Sequence, residues 1–198
     1  MFSNKTFNLI LAGYGGQGVL TIAEILAKAA ILEGYDVKQA ELHGLAQRGG
    51  SLECHLRFGK KVNSPLVRRA DADLIISLEL LEALRVCYYA RKNKTIILTN
   101  AKIFSPYPLE PEKIKAEKII SDLKKFVKVL KLVKADELIQ KVTKDTAMIN
   151  TLMLGFALAK KFLPLKKESV FQALVERIRP QFLEDNKKIF EIAFEHNS

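Results

Sequence analysis

The run from Thr6 to Ala12 is apolar and of strand type, and it leads directly into Gly13-Tyr14-Gly15-Gly16-Gln17-Gly18. From Val19 to Leu32 the apolar residues then recur at helical spacing: Leu20, Ala23, Ile25, Leu26, Ala27, Ala30 and Ile31. Gly34 ends this helix, and Tyr35–Ala40 reads as a second strand. A strand, a glycine loop, a helix and a strand make the first unit of a doubly wound sheet. The expected fold is therefore α/β: a Rossmann-like, mostly parallel sheet with helices on both faces. The 198 residues are 48% hydrophobic, enough for one core, so a single domain over 1–198 is expected.

The rest of the chain fits this frame. Ser51–Phe58 alternates as a strand does, and Gly59-Lys60 reads as a turn into a short hairpin partner at Lys61–Asn63. Ala72–Ser77 and Thr95–Thr99 read as buried parallel strands around a helix at Leu80–Ala90. Pro106, Pro108 and Pro111 mark a loop. Lys113–Leu123 holds helical material, Val127–Val133 a strand and Asp136–Val142 a short helix. From Thr146 onward the pattern is helical, broken at Pro164 and Pro180, so the chain is expected to end in a helical C-terminal region.

Composition narrows the function classes. No apolar run approaches the ~20 residues needed to span a bilayer, and the N-terminal run enters a glycine loop without a cleavage-type site. A cytoplasmic protein without membrane association is the expectation. The two cysteines, Cys54 and Cys87, are far apart and read as buried thiols; an iron–sulfur cluster usually needs four thiolates. The three histidines show no metal-ligand spacing. Net charge is +10, and residues 91–144 carry 14 Lys and Arg against 6 Asp and Glu. Those cations are mostly lysines at helical spacing without interleaved aromatics, which describes a solvated face better than a nucleic-acid surface.

Two loops carry candidate chemistry. In the first, Gly13, Gly15 and Gly18 match a dinucleotide fingerprint in the right place between strand and helix. Glycine permits the tight turn and a close backbone approach, and free N–H groups at the helix start favour an anion. The acidic residue that would hold a ribose is not well placed, because Asp36 precedes the second strand and Glu41 follows it. Three readings stay open: a nucleotide or phosphate, an anion from a partner or substrate, and a structural turn. The second loop is His43-Gly44-Leu45-Ala46-Gln47-Arg48-Gly49-Gly50. It follows the second strand and so is expected beside the first loop, at the carboxyl edge of the sheet. His43, Gln47 and Arg48 supply a donor or acceptor, an amide and a fixed cation suited to carboxylate or phosphate. The candidate binding set is Gly13, Gly15, Gly16, Gln17, Gly18, His43, Gln47, Arg48, Gly49 and Gly50. No catalytic arrangement and no metal site is evident.

Taken with these loops, Gly13–Val19 resembles the opening of the gamma subunit or domain of the pyruvate and related 2-oxoacid:ferredoxin oxidoreductases. The block Glu41–Ser51, followed by Arg57-Phe58-Gly59 and Ser64-Pro65-Leu66, is most similar to the beta subunits of the indolepyruvate type. Ala70–Leu74, Glu79–Arg85, Asn150–Gly155 and the final helices continue the resemblance. It implies a small subunit of a heteromeric enzyme that oxidatively decarboxylates a 2-oxoacid, an aryl pyruvate in this type, to an acyl-CoA, with ferredoxin as acceptor. Thiamine diphosphate and iron–sulfur clusters would belong to a large alpha subunit, coenzyme A would be the cosubstrate, and this chain would hold no cofactor and be inactive alone. The alternatives are a gamma subunit acting on pyruvate, 2-oxoisovalerate or 2-oxoglutarate, and a stand-alone nucleotide-binding module.

Overall fold

The computed structural model describes residues 5–43, 50–104, 115–143 and 148–196, with His43 described only in its backbone. Strand β1 (Phe7–Tyr14) leads through the glycine loop into α1 (Val19–Leu32), then β2 (Asp36–His43) and β3 (Ser51–Gly59). There follow β4 (Leu74–Ser77), α2 (Leu80–Arg85), a 3-10 turn at Cys87–Tyr89, β5 (Ile96–Asn100), α3 (Ala116–Lys124) and β6 (Val129–Val133). Helices α4 (Ala135–Ile139), α5 (Ile149–Ala159), α6 (Lys167–Arg177) and α7 (Pro180–Glu195) complete the described chain.

The six strands form one sheet in the order β2-β3-β1-β4-β5-β6. β1, β4, β5 and β6 pair in parallel, while β3 runs antiparallel to both β1 and β2. Five strands thus point the same way and one opposes them. The pleat sends alternate side chains of β1 into two cores. Leu9 and Leu11 join the face covered by α1, α5, α6 and α7. Ile10 and Ala12 join the face covered by α2 and α3. Helix α5 is apolar nearly all round because Asn150–Leu158 are all buried, against α1, α4, α7 and β5.

Two expectations are corrected. Lys61–Asn63 forms no strand; β3 instead makes its hairpin backwards, with β2, over eight register pairs from Asp36↔Gly59 to His43↔Leu52. The chain beyond β3 is held by the Asp36 carboxylate, which accepts from the Val62 N–H at 2.8 Å. Consequently β2 is not the neighbour of β1, since β3 lies between them. The helix expected at Leu80–Ala90 ends at Arg85, and a 3-10 turn takes over at Cys87. Of the two thiols, Cys54 is buried and Cys87 only half-buried. No described helix is long and apolar enough to cross a membrane. Among the described cations of 91–144, Lys102, Lys125 and Lys134 make local ion pairs with Asp136, Asp122 and Glu137.

Candidate functional site: the glycine loop and its two clefts

The glycine loop stands where the chain changes direction across the sheet. From β1 the chain builds leftward to β2 and β3; from β4 it builds rightward to β5 and β6. The carboxyl ends of β1 and β4 therefore flank a topological switch point, where open α/β sheets bind ligands.

Each loop residue has a physical reason. Gly13 has ordinary strand backbone but no room: a Cβ there would lie 2.8 Å from both Gln17 Oε1 and Val19 Cγ2. Gly15 donates its N–H to the Gly50 carbonyl at 2.9 Å, tying the first loop to the residue that precedes β3. Gly16 has φ +100° with open space around it. Gln17 is turned inward: its Oε1 accepts from the Tyr14 N–H at 2.8 Å, and its own N–H donates to the Tyr14 carbonyl at 3.1 Å. Gly18, at φ +83°, opens α1 and lies on the Asn150 amide, so that a Cβ there would run into Asn150 Nδ2. Gly18→Ala adds left-handed strain to this clash, whereas Gly16→Ala adds strain alone. We expect Gly18→Ala to cost about 2 kcal/mol and Gly16→Ala about 1 kcal/mol. Urea unfolding of the two variants checks that order.

Of the remaining candidates, Gly50 joins the site directly. Gln47, Arg48 and Gly49 lie outside the described residues, as does the His43 side chain, though the His43 backbone ends β2 against Leu52. Gly50, at the far end of that stretch, faces the glycine loop. Between them is a cleft of about 460 Å³, lined by Gly15, Gly16, Gly18, Thr21, Glu41, Gly50 and Ser51. The first turn of α1 contains no acidic residue, and its N-cap, Gly18, brings no capping side chain. The amide N–H groups there present positive potential to this cleft. Glu41, expected beyond the second strand, in fact lies inside β2 and on the cleft wall. A carboxylate there accepts from hydroxyl or amine groups.

A second cleft, of about 350 Å³, lies on the other side of the loop. Tyr14, Gln17, Glu79, Asn100, Lys102 and Phe104 line it. Tyr14 stacks against Phe104 with ring centroids 5.9 Å apart. Behind Tyr14 are two glutamates that composition and spacing did not single out: Glu79 and Glu82, 1% and 0% exposed. Glu79 caps α2 by accepting from the Leu81 N–H. Burial, with the nearby Glu82 charge, pushes its carboxyl up to about 7. Burial and the two glutamate charges push the Tyr14 hydroxyl up to about 12. The one clue in the sequence is a pair of acids three apart immediately after a buried strand; their burial depends on distant residues.

His55 is buried and structural. Its Nδ1 accepts from the Val67 N–H at 2.9 Å, and its Nε2 lies 3.3 Å from Glu53 Oε1. Among the described residues no group of three or more His, Cys, Asp or Glu is placed to hold a metal ion.

Comparison with known proteins agrees with this architecture. Residues 8–196 match the family model of pyruvate ferredoxin/flavodoxin oxidoreductase. The indolepyruvate oxidoreductase subunit IorB of Archaeoglobus fulgidus is 34% identical over 195 residues, covering 94% of this chain and 93% of that one. The pyruvate/ketoisovalerate oxidoreductases common subunit gamma of Pyrococcus abyssi is 30% identical over 185 residues, covering 92% of each chain. Among solved structures, the 2-oxoglutarate:ferredoxin oxidoreductase of Magnetococcus marinus, with 2-oxoglutarate, coenzyme A and succinyl-CoA bound, superposes with a TM-score of 0.72 at 14% identity. That superposition covers 98% of this chain and 31% of the longer one. The chain belongs to the pyruvate ferredoxin/flavodoxin oxidoreductase family, and along its length it corresponds to the small subunits of that family.

Proposed function

We propose that this chain is the small subunit of an aryl pyruvate:ferredoxin oxidoreductase, and that its glycine-loop cleft binds an anionic group of coenzyme A. The carrying observation is the cleft between the start of α1, which brings amide N–H groups, and Gly50–Ser51, which follow Arg48 in the sequence. Phosphate groups match such a wall. In the complete enzyme the 2-oxoacid loses carbon dioxide, its acyl group passes to the coenzyme A thiol, and the electrons pass to ferredoxin. Thiamine diphosphate and the iron–sulfur clusters carry that chemistry on a large partner subunit, in a cytoplasmic complex. This chain's part is to hold the cosubstrate: the Gly13–Gly18 backbone and Arg48 take the anion, and His43 and Gln47 orient it.

The aryl pyruvate preference rests on the 34% identity to the indolepyruvate subunit. The 30% identity to a pyruvate/ketoisovalerate gamma subunit supports the rival substrate class. Glu41 on the cleft wall suits a ribose hydroxyl, which coenzyme A and a nucleotide share.

Arg48→Ala is the direct test. Assembly with the large subunit and the KM for coenzyme A are measured separately, and a KM raised about tenfold is expected for one lost charge-assisted contact. Wild-type values for both would remove Arg48 from the site. Turnover of the reconstituted complex with indolepyruvate against pyruvate decides the substrate.

A further inference from the structure

Glu82 is fully buried, yet it touches three separate elements. Ser51, the first residue of β3, donates its hydroxyl to one Glu82 oxygen. Tyr14, the last residue of β1 and the register partner of Ser51, lies beside the same carboxylate, whose charge raises its hydroxyl. On α2 itself, Arg85 Nη1 stands 3.1 Å from the other oxygen as an ion pair without hydrogen-bond geometry. Ser51 belongs to one wall of the coenzyme cleft, and Tyr14 leads directly into the other. The two walls are thus tied by the backbone bond from Gly15 to Gly50, and behind that tie Ser51 is anchored to Glu82 next to Tyr14.

Burying a carboxylate is expensive, and an apolar residue would fill this place at less cost to folding. We propose that Glu82 is the positioning residue that fixes the separation of the two cleft walls for the anionic ligand. The proposal rests on the reading that the cleft takes an anion of coenzyme A. Glu82 makes no contact with that ligand; it acts through Tyr14 and Ser51.

Charge at the brace is adjustable. Glu79 lies beside Glu82, and its Oε1 has no hydrogen-bond partner among the described residues. The ionisable groups around the pair are Tyr14 at the end of β1, Arg85 on α2, and Lys102 and Asp136 across the second cleft. Glu79 loses its proton at about pH 7, placing a second negative charge behind the walls. The affinity of an anion then falls as pH rises through neutrality.

The test uses the complete complex with coenzyme A as the probe. Ser51→Ala removes the hydroxyl donor of the charged acceptor and Tyr14→Phe the hydroxyl beside it, and each is expected to raise the KM for coenzyme A by about tenfold. The KM for coenzyme A rises further than the kcat falls or the KM for the oxoacid rises. Glu82→Gln retains an acceptor oxygen and restores most of the affinity that Glu82→Leu loses; if Glu82→Leu fails to fold, the two hydroxyl variants decide alone. Wild-type complex shows a KM for coenzyme A that climbs across neutral pH, and Glu79→Gln flattens this climb. A merely structural brace would change stability and leave the two pH profiles parallel. Parallel profiles, or equal losses for both substrates, overturn the proposal. If Arg48→Ala raises the KM while Tyr14→Phe and Ser51→Ala do not, the brace is wrong and the cleft reading stands. If none of the three raises it, the cleft reading falls and the brace with it.

Discussion

Gly155→Val is expected to lower the stability of the chain by about 3 kcal/mol, at the upper end of overpacking costs. Gly155 lies in α5, where it allows α7 to approach closely: a Cβ would lie 2.7 Å from the Ala193 Cβ and 2.8 Å from the Phe190 carbonyl oxygen. Ala193 and Phe190 are both 0% exposed, so neither has room to retreat. The valine must push the two helices apart, and α5 carries that displacement to the sheet through its contact with β5. Helix propensity favours alanine over glycine by ~1 kcal/mol, so Gly155→Ala recovers part of its packing cost. Valine recovers less and adds more volume. For a domain of this size, ~3 kcal/mol corresponds to a fall in Tm of about 6–12 °C. A thermal melt of Gly155→Val within 2 °C (roughly the shift from 1 kcal/mol or less) of wild type would show that the helices repack without cost.

The second large effect runs the other way. Glu79→Gln is expected to stabilise the protein above neutral pH. The wild-type carboxyl titrates at about 7 in the folded chain against an ordinary value of 4.5. Between those values the folded state holds a proton that the unfolded state has released. Wild-type stability therefore decreases as pH rises through that window, and the loss is complete above 7. A shift of this size corresponds to roughly 2–3 kcal/mol for a buried group. Glutamine is neutral throughout, and its oxygen can still accept from the Leu81 N–H. The urea midpoints of wild type and Glu79→Gln should then coincide near pH 4.5 and diverge by pH 8. A constant difference at all pH values would contradict this account.

How far the fold could be read from the sequence follows the range of the interactions. The β1–glycine loop–α1 unit was legible because strand pattern, turn chemistry and helix periodicity lie within one short stretch. Alternation also located β3, yet not its partner: the Gly59-Lys60 turn signal was local, while pairing with β2 depends on eight register contacts made earlier in the chain. Gly15 and Gly50 belong to two loops expected side by side at the carboxyl edge of the sheet, and they are hydrogen-bonded to each other. Glu79 and Glu82 escaped notice for the opposite reason. Acids near the start of a helix suit its dipole on any surface. What makes these two unusual is burial beneath Tyr14 and Ser51, residues 65 and 31 positions distant in one case each by Glu79–Tyr14 and Glu82–Ser51 numbering.

The hairpin of β2 and β3 has a consequence for how such proteins diversify. A crossover helix must span a fixed distance, so its length is constrained. A hairpin tip is not, because its two strands are already zipped together and lengthening the tip adds only a slowly growing closure entropy. The segment between His43 and Gly50 can therefore be rewritten, even in length, while the sheet and the glycine loop keep their places. The Gly50–Ser51 side of the cleft adjoins the stretch that can vary, and the side made by the glycine loop and α1 is fixed by the fold.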